Sequence, residues 1–149
     1  MKIKAFYLVI ILVAVGLIVW AVKSGPKITN EDVVSRTGIH WHPHLEIVIK
    51  GVRQTVPKNI GTTGAHTNNI HTHDDSGTLH MEHQGLVTRD KLKIKNFFNE
   101  WSKRFDRECI FDSCNGPEGR VTMTVNGAPN DQFENYEMRD QDLIVITYN

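Results

Sequence analysis

All eight histidines of this 149-residue chain fall between His40 and His83. Imidazole titrates near neutral pH and is the commonest metal ligand, so their spacing bears directly on chemistry. His40, His42 and His44 alternate, with Glu46 two positions on. His71 and His73 repeat the i, i+2 interval with Asp74 alongside, and His80 and Glu82 repeat it again. Residues i and i+2 of an extended chain project from one face. A single strand from His40 to Glu46 would put its imidazoles and Glu46 away from the core, and Trp41, Leu45, Ile47 and Ile49 toward it. Three such pairs supply four to six nitrogen and oxygen donors, a set suited to Zn²⁺, Cu²⁺ or Ni²⁺. Asp74 or Glu82 would bind the ion directly, or accept an N–H from a ligand imidazole and fix its tautomer. His66 and His83 complete the candidate ligands. A single histidine reads better as a solvated polar residue; eight within one short stretch, paired three times, read better as a site for zinc or copper. The Cys-rich spacing of structural zinc is absent.

The elements that must carry these residues can be read from periodicity. Leu45 to Lys50 is an alternating, β-branched strand; Gly51 turns it, Arg53 to Val56 pair back, and Pro57 ends the hairpin. Leu79 to Glu82 is a short strand after the Asp75-Ser76-Gly77 turn. Ile94, Phe97, Phe98, Trp101 and Phe105 form one apolar helical stripe, which is core packing. Val121 to Val125 alternate, Asn126-Gly127 is a turn, and the nearly continuous apolar run Leu143 to Tyr148 reads as a strand buried on both faces. The expected class is α+β, a small mixed or antiparallel sheet with one amphipathic helix. The closing strand, VNG, loop and RDQDLIVITY resemble the end of ubiquitin-like and ThiS-like β-grasp domains, a likeness of fold that carries no function.

Ala5 to Val22 is uncharged and apolar, close to the roughly 20 residues that span a bilayer core once Lys2, Lys4 and Lys23 snorkel. The run is long for a signal peptide and Val22-Lys23-Ser24 is a poor cleavage site. The expectation is an uncleaved anchor over residues 1–23, a polar tether over 24–36 and an extracytoplasmic domain over 37–149. The protein would thus be single-pass, with the membrane as one partner and an envelope protein as another. Setting aside Lys2, Lys4 and Lys23, fourteen basic residues face seventeen acidic ones, which argues against nucleic acid. Cys109 and Cys114 are an even count with spacing unlike a Cys-x-x-Cys redox motif, and read as a structural disulfide.

The stretch HPHLEIVIKGVRQTVPKNIG, then IHTHDDSGTLHMEH and a helix with FFNEW, resembles a family of uncharacterised membrane-anchored bacterial and archaeal proteins. They share an H-x-H-L strand, a VP-x-x-IG turn and an HTHD-x-SG-x-x-H segment. The matching positions are His42, His44, Leu45, Val56, Pro57, Ile60, Gly61, His71, His73, Asp74, Gly77 and His80. The resemblance ranks His42, His44, His71, His73 and His80 first as ligands and His40, His66 and His83 after them; it implies no activity.

Enzymatic readings fare less well. HTHD resembles the first metal motif of amidohydrolases and PHP-type phosphoesterases, but those use barrels of about 200 residues or more. His40, His42, Glu46 and His66 look like parts of a cupin metal set, although the flanking glycines do not fit and the helix is out of place. Blue copper requires a histidine after its cysteine ligand, and none follows Cys109 or Cys114. Ser76 has no nucleophile-elbow context. The expected function is metal holding or delivery without catalysis. The alternatives are an interaction module whose histidines sense pH and a small cupin-like metalloenzyme.

Overall fold

The computed structural model describes residues 2–25 and 28–149; of residues 2–6, 8 and 9 it describes the backbone alone. The chain divides into two units, residues 1–30 and residues 31–149.

The first unit is helix α1, Lys2–Ser24, closed by the Ser24 hydroxyl donating to the Trp20 carbonyl at 2.7 Å. Among the described residues no helix is long and apolar enough to cross a membrane. The described apolar side chains run without a break only over residues 10–22. Ala5 and the other apolar side chains expected to lengthen the run lie outside the described residues, as do Pro26 and Lys27 of the expected tether. This finding overturns the transmembrane helix, the membrane as partner, and the single-pass placement with an extracytoplasmic domain.

The second unit is α+β. Its strands are β1 Val33–Ser35, β2 Gly38–Trp41, β3 His44–Ile49, β4 Val52–Gln54, β5 Thr62–Thr63, β6 His66–Thr67 and β7 Ile70–His71. They continue as β8 His80–Gln84, β9 Val87–Thr88, β10 Cys109–Ile110, β11 Ser113–Cys114, β12 Val121–Val125, β13 Ala128–Pro129 and β14 Leu143–Tyr148. Helix α2, Ile94–Glu100, lies between β9 and β10.

The strands form five sheets instead of the single sheet expected. The largest has the order β13-β12-β14-β3-β4, with β14 parallel to β3 and the other neighbours antiparallel. Two tight turns build its hairpins. Lys50-Gly51 and Asn126-Gly127 both hold consecutive positive φ angles, the type I′ geometry that matches strand twist. Register aligns Ile144 with Leu45 and Ile146 with Ile47, and all four are buried. Leu143 is exposed and Val145 half-buried, so β14 buries one face where two were expected.

Helix α2 covers the core with Ile94, Phe97 and Phe98. It stops at Trp101, short of the expected stripe. Ser102 takes φ 54°, its N–H reaches the Asn99 carbonyl and the Lys103 N–H reaches that of Phe98, both at 3.0 Å. This double bond pattern is a Schellman stop. Phe105 still joins the core, from a bridge with Ile110, its ring 4.7 Å from that of Phe98. Nearby, Cys109 and Cys114 are joined by a disulfide.

The break at Pro43 matters most for the site. The expected continuous strand from His40 to Glu46 is two strands, β2 and β3, in different sheets. Proline has no N–H to give to a ladder, so the pairing breaks there. Buried Pro43 instead accepts the Leu79 N–H on its carbonyl at 2.9 Å. His40 on β2, with His42 just past its end, therefore stays beside one sheet, and His44 and Glu46 leave with the other.

Candidate metal centre

The histidines are organised by the three-stranded antiparallel sheet β2-β8-β7. On its middle strand, Met81 and His83 are buried, whereas His80 is half-buried and Glu82 exposed. Cross-strand partners share a face. Register sets His40 opposite Glu82 and His71 opposite His80. His42 and His73 lie two positions beyond His40 and His71 and follow the same side of the pleat. Each strand thus brings one i, i+2 pair to the same face.

The donors meet there. His71 Nε2 and His73 Nε2 are 3.2 Å apart, and His40 Nε2 and His42 Nε2 are 3.1 Å apart. The His80 ring lies 4.4 Å from that of His73, 5.3 Å from that of His71 and 4.8 Å from that of His42. Glu82 Oε1 is 3.4 Å from His40 Nε2. Among the described residues, two groups could hold a metal ion: His71, His73, His80 and Glu82, and His40, His42 and His80, with donor atoms in each within 4.8 Å of one another.

Thr72 explains why both flanking histidines turn to the same side of the chain, His71 at 1% exposure and His73 exposed. Thr72 is fully buried and held by the turn from Pro57 to Gly61. Its N–H donates to the Ile60 carbonyl and its own carbonyl accepts from the Asn59 N–H. Its hydroxyl donates to the Pro57 carbonyl at 2.7 Å and accepts from the Ile60 N–H at 3.1 Å. With Thr72 pinned on the other side, the pleat turns His71 and His73 toward the donor face together. Gly61 closes the turn at φ +69°, where a Cβ would sit 2.3 Å from the Ile70 carbonyl oxygen.

Outer contacts orient the rings. His71 Nδ1 lies 2.9 Å from the Asn68 carbonyl oxygen. A carbonyl can only accept, so Nδ1 carries the proton and Nε2 keeps the lone pair a metal needs. The Asp140 carboxylate accepts the backbone N–H of His42 at 2.7 Å and lies 4.0 Å from its Nδ1. Burial, aided by the charge of His73, pushes the His71 pKa down, against the opposing pull of the Asn68 bond. Burial, then His73, His42 and His71, push that of His80 down as well. Both shifts favour the neutral imidazole, the ligating form.

No family model, curated protein or solved structure matches this chain. Function therefore has to be read from the site itself. Several expected ligands stand apart from both donor groups. His44, carried off on β3, has its Nε2 3.7 Å from Glu46. Asp74 turns back to accept the Ser76 N–H at 2.9 Å, and that hydrogen bonding to Ser76 holds its pKa down. His66 is exposed on the β5–β6 hairpin. His83 faces the interior, neither ring nitrogen having a hydrogen-bond partner. Asn68 and Asp140 were not foreseen. Asn68 acts through its main chain, and Asp140 lies 98 positions from His42, so no local spacing points to either.

Proposed function

We propose that this protein holds a transition metal ion, zinc or copper, without catalysing a reaction. The observation that carries this reading is the convergence of three i, i+2 donor pairs, one per strand, on one sheet face. Imidazole serves both metals. His71, His73, His80 and Glu82 offer four donors, the number in a closed structural zinc site; catalytic sites characteristically keep three protein ligands and an open position. Metal holding, buffering or delivery follows from such a site.

The test is bound metal on the full chain, purified without a polyhistidine tag. We expect about one or more equivalents by elemental analysis. Zinc at about a hundredfold excess over its Kd should raise the midpoint of thermal unfolding by roughly 5–10 °C. Stoichiometry near zero together with no thermal shift on adding Zn²⁺ or Cu²⁺ overturns the function. Unchanged affinity in the double variant His71→Ala, His73→Ala overturns the site.

A further inference from the structure

Building on the metal-holding reading, we infer that this face takes two transition metal ions per chain, with Glu82 between them. Two nitrogens about 2.0–2.1 Å from one ion lie about 2.9 Å apart at a right angle and about 3.4 Å apart at the tetrahedral angle. The His71–His73 separation of 3.2 Å and the His40–His42 separation of 3.1 Å both fall in that interval. Each pair is therefore already spaced as two ligands of one ion.

The pairs belong to opposite edges of the sheet. β2 and β7 flank β8, and neighbouring strands lie about 4.7–4.9 Å apart, so the edge backbones are about 9–10 Å apart. Donors on one ion can be no farther apart than twice the bond length, about 4.2 Å. The donors fall into two groups, each with its atoms within 4.8 Å of one another, that share only His80. One imidazole nitrogen serves one ion, so His80 cannot complete both.

Glu82 can. Its carboxylate is grouped with His71, His73 and His80, and its Oε1 also lies 3.4 Å from His40 Nε2 on the other edge. A carboxylate has two oxygens and can give one to each ion. Ions in such shared sites sit about 3.5–4 Å apart, within the reach of one bridging carboxylate. The central strand thus supplies the shared ligand, and each edge strand gives its own pair to one ion, His71 and His73 with His80 on one side and His40 and His42 on the other.

Metal titration of the chelator-treated full chain with Cu²⁺, followed by electron paramagnetic resonance, tests this. We expect two equivalents, with integrated signal well below that of two isolated Cu²⁺ ions because the bridged ions couple. The double variant His40→Ala, His42→Ala should keep one equivalent and regain a full single-ion signal. Glu82→Gln should weaken the second equivalent by about 10–100-fold, at least the effect of losing an outer partner. The His40 and Glu82 side chains are 63% and 46% exposed, so these variants should fold, and circular dichroism checks that they do. Saturation at one equivalent overturns the two-ion centre and leaves the metal-holding reading intact. No binding overturns both. Two equivalents with undiminished signal, or two retained without His40 and His42, overturn the carboxylate-bridged arrangement.

Discussion

His80 and His83 lie three residues apart on one strand, and the pleat sends one to the metal face and the other into the core. His83 is 6% exposed with both ring nitrogens unpartnered. Burial, and then the charge of Lys91, hold its pKa down. His71, His80 and His83 all sit below their ordinary value of 6.5 in the folded chain. Between those lowered values and 6.5 the unfolded chain binds more protons, so the metal-free protein should be fully stable above about pH 6.5 and lose stability as pH falls through that window. Urea unfolding of the chelator-treated chain from pH 7.5 to 5 measures this. His83→Phe should shrink the acid loss, keep or raise stability at neutral pH because an unpaired polar ring leaves the core, and leave metal stoichiometry unchanged. The spacing of the histidines showed which could share a face. It could not show which face was buried, because His80-x-Glu82 and Met81-x-His83 alternate equally well until Met81 meets Ile70 and Trp41 across the sheet.

At the scale of elements, the site depends on two short segments that hold their neighbours in place. Thr72 ties β7 to the turn after Pro57 through both sides of its hydroxyl. Thr72→Val keeps the shape and leaves the Pro57 carbonyl and Ile60 N–H without that partner. The expected cost is about 1–3 kcal/mol of stability, read from urea midpoints, together with weaker metal binding as the His71–His73 pair loosens. The hairpins were legible because Asn126-Gly127 and Gly51 carry their turn geometry in their own side chains or lack of them. The helix stripe was legible in composition, since Ile94, Phe97, Phe98 and Phe105 all reach the core. Its end was not, because a left-handed Ser102 is unusual at a helix stop where glycine is the common choice. Pro43 was visible as a proline, but its effect, parting His44 on β3 from His40 on β2, depends on the pairing of β3 with β14 at the far end of the chain.

For the whole molecule, the disulfide and the donor face lie on different strands. Cys109 and Cys114 staple a loop of sequence separation 5 on strands β10 and β11, whereas the donors sit on β2, β7 and β8. Reduction should lower stability by about 2 kcal/mol on the loop-entropy account and leave metal stoichiometry unchanged, which denaturation and metal analysis with and without reductant would check. The disulfide fits a non-reducing compartment. The one-face arrangement of donors has a kinetic consequence. A slip of β8 by one residue would exchange the outward His80 and Glu82 for Met81 and His83, because strand side chains alternate with period two. A misaligned sheet would then lose its central carboxylate and set the Met81 thioether and the His83 imidazole in place of His80 and Glu82. Only the correct pairing presents every donor at once, so an ion encountered during folding would act as a reversible cross-link that captures chains in the right register and releases the others.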